Sequence, residues 1–161
     1  MKARLWMAVI TIAVLISAPF SFAADEKIGI FEAIHVSSVS FDETTVAVES
    51  ALATSGLVLH AKHDVRVPED KHRARVYVLT SPAYADAAKA EAARTISAQI
   101  LRLAVYTHGA DQKTYVNMAN PVAHAMVFYA DSKNYDALLE AARSASGEMR
   151  QLVADVPGSV M

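Results

Sequence analysis

The chain contains no cysteine, which excludes disulfides, thiol redox chemistry, zinc–thiolate sites and covalent haem attachment through C-x-x-C-H. It also lacks any run of lysine or arginine, so the clustered positive surface that holds nucleic acid is missing. No segment repeats at a period of 20 to 50 residues, so the chain is not a solenoid. Catalytic signatures are missing too: there is no G-x-S-x-G elbow, no H-E-x-x-H, no phosphate loop and no glycine fingerprint. Carboxylates are scattered rather than paired. Asp42 and Glu43 sit at a helix start, while Asp136, Glu140 and Glu148 fall on the polar side of a long helix.

Its N-terminus is more informative. Lys2 and Arg4 precede an apolar run from Leu5 to Phe20, and Ser21-Phe22-Ala23 forms a small-x-small cleavage site. This is the pattern of a secretory signal peptide. An uncleaved membrane anchor is the alternative, but a spanning helix needs about 20 apolar residues. Here Pro19 interrupts the run, and Asp25 and Glu26 follow at once. Cleavage after Ala23 leaves residues 24–161, a length that suits one domain with its own core. The precursor carries a formal charge of −2, and loss of Lys2 and Arg4 makes the mature chain more acidic. The expectation is a periplasmic or secreted protein with no lipid anchor, since no cysteine can accept one.

Residues 28–39 are rich in β-branched side chains in loose alternation and predict a first strand. Ser40-Phe41-Asp42-Glu43 is a capping-box pattern opening a helix to about Ser55, with Gly56 expected as its left-handed stop. Residues 57–65 and 73–80 predict strands two and three, separated by the polar turn Pro68-Glu69-Asp70-Lys71. Ser81-Pro82 pairs a capping serine with proline at the first helical position, and the alanine-rich helix that follows is expected to end near Arg94. Residues 99–107 and 113–118 flank His108-Gly109-Ala110-Asp111-Gln112 and predict an antiparallel hairpin. Asn120-Pro121 opens a short helix. In the last helix Tyr135, Leu138, Ala142, Ala145, Met149, Leu152 and Val156 form one apolar stripe, which Pro157-Gly158 ends. The fold class that follows is α+β, a two-layer sandwich in which a mainly antiparallel sheet of about five strands carries helices on one face.

Three segments together resemble the family catalogued as domain of unknown function 302, over roughly residues 34–126. They are VSFDETTVAVESALATSGLVLHAKHDV (39–65), VYVLTSP (76–82) and ILRLAVYTHGADQKTYVNMANP (100–121). The family usually shows Gly-Asn-Pro where this chain has Thr80-Ser81-Pro82, and often Tyr-Asn where it has Met118-Ala119. The resemblance implies a compact α+β domain, with a homodimer as one form open to it. It implies no catalytic residue, because the family has no agreed activity.

Strand alternation places Leu59, Val76, Leu101, Leu103 and Val105 in the core. The opposite face then carries His60, Lys62, Arg75, Tyr77, Arg102, Tyr106, Tyr115 and Asn117, a cationic and aromatic surface on an acidic protein. Such a face would take a small anionic or planar ligand by forked hydrogen bonds and stacking, or pair with its own copy. A second candidate is Met118, His124 and Met126, soft ligands suited to copper or haem iron. Spacing argues against it, because His124 and Met126 are about 200° apart on a helix. His60 and His63 likewise fall on opposite faces of a strand. The reading is a non-enzymatic binding or accessory protein with no cofactor and no nucleic-acid partner. A copper- or haem-binding protein is the alternative, and an undetected hydrolase the third.

Overall fold

The computed structural model describes residues 28–65, 72–91, 93–108 and 113–161. The leader, the turn at 68–71 and the hairpin loop at 109–112 lie outside the described residues. Among the described residues six strands form one sheet: β1 (Phe31–Ser37), β2 (Val58–Val65), β3 (Ala74–Thr80), β4 (Leu101–His108), β5 (Lys113–Ala119) and β6 (Gly158–Val160). Their spatial order is β2-β3-β4-β5-β1-β6, and every adjacent pair is antiparallel. The α-helices of the described residues, α1 (Phe41–Thr54), α2 (Pro82–Ala88), α3 (Pro121–Phe128) and the long C-terminal α4 (Tyr135–Ala154), complete an α+β fold.

Local chemistry accounts for the helix starts. The Ser40 side chain accepts from the Glu43 amide, and the Glu43 carboxylate accepts from the Ser40 amide. Ser81 caps α2 through the Tyr84 amide, and Asn120 caps α3 through the Val122 amide; each is followed by proline at the first helical position. The stop of α1 differs from expectation. Gly56 is not in the left-handed region; Ser55 ends the helix in an extended conformation, its hydroxyl donating to the Leu52 carbonyl and accepting from the Leu57 amide. Helix α2 also stops early, at Ala88, and a 3-10 helix over Ala93–Gln99 replaces the expected continuation. Buried Thr95 and Ala98 hold that segment against the core, and β-branched Thr95 and Ile96 are weak α-helix formers.

The core lies between the sheet and the helices. Tyr77, Leu79, Leu101, Leu103, Val105, Val116 and Met118 on the strands meet Phe41, Val48 and Leu52 of α1 and Leu138, Ala142, Ala145, Met149 and Leu152 of α4. The α4 stripe is buried from Leu138 onward, as its 3-and-4 spacing predicts.

Two bulges and one reversed strand alter the predicted faces. In β1 the register shifts between Ala33 and His35, so Ile34 and His35 are both buried and the simple alternation fails. In β2 it shifts between Leu59 and Ala61, at His60. On β3, Tyr77 and Leu79 face the helices, while Val76 lies on the other side opposite Ala104. Either alternation of this strand is apolar; the one that buries a tyrosine and a leucine removes more apolar area from water than the one that buries two valines.

The sixth strand, β6, pairs with the outer edge of β1. Gly158 has φ +146°, and a Cβ there would stand 2.1 Å from the Val36 oxygen and 2.5 Å from His35 Nε2, so only glycine fits. The preceding carbonyl, that of Pro157, accepts from the Ser38 amide at 3.0 Å and the Ser37 hydroxyl at 3.1 Å, with His35 Nε2 at 3.3 Å.

Candidate functional site: the open sheet face and the charged lip

The helices cover one face of the sheet. The other carries Ala74, Val76, Val78 and Thr80 of β3, Arg102, Ala104 and Tyr106 of β4, and Tyr115 and Asn117 of β5, as the register requires. Tyr106 stands directly opposite Tyr115, and their rings stack with centroids 5.7 Å apart and planes 22° apart. The ring of His108 meets Tyr115 edge-on at 6.1 Å. Arg102 is exposed at the far end of β4, beside Val78. Between these ends lie half-buried Val76, Val78, Ala104 and Asn117. Four of the expected site residues, Arg102, Tyr106, Tyr115 and Asn117, therefore share this face. His60 joins its margin from the β2 bulge, with Nε2 2.8 Å from Thr80 Oγ1.

Arg75, Tyr77 and Lys62 do not share it. All three sit on the helix side, where they close around Glu49 of α1. Lys62 Nζ donates to Glu49 at 2.7 Å, Arg75 Nη1 donates to it at 3.0 Å, and the Tyr77 hydroxyl donates to it at 3.3 Å. Arg75 also forks onto Asp64 of β2 at 2.7 and 3.1 Å. Beside this cluster Arg73 grips both Asp42 oxygens at 2.7 Å and lies 4.3 Å over the Phe41 ring. The expected cationic face is thus divided, for two physical reasons. The β2 bulge turns Lys62 to the other side, and burial of the Tyr77 ring carries Arg75 with it.

The charged lip is internally neutralised. Glu49 is held below its ordinary value of 4.5, mainly by the hydrogen bond from Lys62, with Arg75 and Tyr77 adding to it. Asp64 and Asp42 are held below theirs by the guanidinium groups of Arg75 and Arg73. Burial pushes the Tyr77 hydroxyl upward, and the Glu49 charge reinforces the shift. Arginine and tyrosine so engaged tie α1, β2 and β3 together and offer no fork to a small anion.

The soft-ligand candidates are also separated. Met118 is fully buried on the helix side of β5, its sulfur accepting weakly from Ser146 Oγ at 4.0 Å. Met126 is 41% exposed on α3. The ring of His124 packs edge-on against Phe128 at 6.3 Å, and burial, aided by the charge of Arg102, pushes its pKa down. Among the described residues no group of three His, Cys, Asp or Glu side chains is placed to hold a metal ion.

Sequence reasoning missed a polar cleft of about 610 Å³ between the start of β1, the start of α3 and the middle of α4. Glu32, Asn120, Arg143, Ser146 and Arg150 line it. One signal was available: Arg143 and Arg150 are seven residues apart, two turns of one helix, and so share a side of α4.

No family model matches the chain, and neither does any curated protein. Among solved structures it is similar to an uncharacterized conserved protein, DUF302, from Bacillus stearothermophilus. The TM-score is 0.63 at 15% sequence identity, over 80% of this chain and 99% of that one. The two chains share a fold.

Proposed function

We propose that the chain is an exported, non-enzymatic accessory protein of the domain-of-unknown-function-302 type, and that its open sheet face pairs with the same face of a second copy. The observation that carries this reading is a sheet face that no described helix covers: half-buried Val76, Val78 and Ala104 between the Tyr106–Tyr115 stack and Arg102. An apolar centre with tyrosine and arginine around it is the composition of a protein interface. A small-anion site would want a concavity, and the clefts described for this chain reach neither Tyr106 nor Tyr115.

Size supports the pairing. Five strands at about 4.8 Å spacing and about seven residues long span about 24 Å by 23 Å, or roughly 550 Å² on each copy. Two such faces bury roughly 1,100 Å², above the roughly 1,000 Å² that a biological interface should clear and within the small, reversible class. Polarity supports it as well. Arg102 and Tyr106 are four residues apart on β4, about 13 Å along the strand. A two-fold axis through Ala104 sets the guanidinium of one copy over the tyrosine pair of the other, and the contact is made twice. Export follows from the leader at residues 1–23.

The test is to express the full chain with its leader, recover the exported product, and measure its first residue by intact mass and its molar mass by light scattering. The expected product begins at Ala24 and is a dimer at micromolar concentration. Ala104→Glu, which sets a charge in the centre of the face, is expected to give a folded monomer. A wild-type monomer, or an Ala104→Glu variant that stays dimeric, overturns the pairing; a retained leader overturns the export.

A further inference from the structure

We propose that the cleft between β1, α3 and α4 is a binding site for a small organic monocarboxylate with an apolar body. Its charged groups are two arginines and one glutamate. Arg150, on α4, pairs with Glu32 of β1, whose other oxygen accepts from Asn120 Nδ2 at 3.4 Å. Arg143, two turns earlier, holds only an exposed pair with Glu140 at 3.3 Å, a contact of the kind that contributes little in water. Between the arginines lies Ser146, 9% exposed, whose described hydrogen bond goes to a thioether. Sulfur is a weak acceptor, so that hydroxyl turns to a better one at small cost.

These groups select the ligand. Within the lining two guanidinium groups face one carboxylate; Glu140 meets Arg143 from outside the cleft as a solvent-screened pair, so the cleft itself favours a monoanion. A phosphate dianion would bring surplus negative charge beside Glu32. Guanidinium groups match carboxylate geometry, and Arg150 already holds a carboxylate through a single Nη2 contact to one oxygen of Glu32. Ile28, Phe31 and Val122 supply the apolar part of the lining, and the volume is within the range of small-molecule sites. Glu32 is therefore an internal competitor: it occupies Arg150, and an incoming carboxylate takes Arg143, Ser146 and the free side of Arg150. The site is separate from the open sheet face, so the two ideas stand or fall independently.

Hexanoate serves as the probe, titrated by calorimetry and followed by amide shifts in NMR, with inorganic phosphate as the comparison. The expected result is saturable hexanoate binding near millimolar affinity. Arg143→Gln is expected to weaken it about tenfold, a loss of about 1.4 kcal/mol. Glu32→Gln, which removes the competitor but keeps a hydrogen-bonding side chain, is expected to tighten binding severalfold. Arg143 makes an exposed pair with Glu140, so its substitution is expected to leave the fold intact, and circular dichroism is the check for both variants. Three results overturn the proposal: no saturable binding to wild type or Glu32→Gln, binding indifferent to Arg143→Gln, or phosphate bound as tightly as hexanoate.

Discussion

Arg75→Ala distinguishes a structural arginine from a ligand-binding one. Its side chain is 23% exposed and reaches Glu49 on α1 at 3.0 Å and Asp64 on β2 at 2.7 Å. Asp64 is open to solvent, so its pair adds little that can be counted. The Glu49 contact is more sheltered, with the carboxylate 30% exposed, and a charged hydrogen bond of that kind is worth about 1–2 kcal/mol. Lys62 stays on Glu49 in the variant, which keeps the loss at the lower end. For a domain of this size each kcal/mol moves Tm by about 3–5 °C, so a fall of about 3–8 °C is expected by calorimetry at neutral pH. Acid gives a second reading. Because Glu49 titrates below its ordinary 4.5 in the folded chain, the stability it contributes is fully present above pH 4.5 and disappears as pH falls through the depressed value. The gap between wild type and Arg75→Ala should therefore narrow below pH 4.5. A double-mutant cycle with Glu49→Gln should return a coupling of about 1 kcal/mol. An unchanged Tm at neutral pH, with the oligomeric state or hexanoate binding altered instead, would refute the argument.

Two further perturbations test the packing. Leu103 is completely buried in the central strand β4, so Leu103→Ala is expected to cost about 2–5 kcal/mol in urea unfolding; a loss under 1 kcal/mol would contradict the core as described. Gly158→Ala meets a backbone oxygen at 2.1 Å in a left-handed conformation, and should detach β6 while sparing the rest of the sheet. Hydrogen exchange would show it, with protection lost at the Ser38 and Met161 amides, which donate to Pro157 and Ile34, and retained at β4.

Helix starts were legible because each is written in two or three adjacent residues: Ser40 with Glu43, Ser81-Pro82, Asn120-Pro121. The α4 stripe was legible for a related reason, since a period repeated over several turns outweighs any single exception. The sheet was harder. A bulge is one extra residue with no compositional mark, so neither Ile34 nor His60 announced the shift that moves its neighbours between faces. On β3, Arg75-Val76-Tyr77-Val78-Leu79 offers two apolar alternations, and the choice falls to the one that buries the larger side chains, Tyr77 and Leu79, a difference of area that the pattern alone does not display. That choice took Arg75 and Tyr77 out of the expected site, the β2 bulge took Lys62, and Arg102, Tyr106, Tyr115 and Asn117 stayed in it. The β6 strand is three residues long and owes its position to the hydrogen bonds gathered on the Pro157 carbonyl, which no local pattern encodes. The cleft at Arg143 and Arg150 draws on three elements, and only their spacing along α4 was visible beforehand.

The short β6 strand also shortens the edge that the sheet offers to other chains. Among the described residues β2 forms one border, interrupted by its bulge; at the other, β6 pairs with His35–Ser37 and leaves Phe31–Ala33 open on that side. Loss of residues 158–161 would restore all of Phe31–Ser37 as one continuous edge, a longer template for edge-to-edge association.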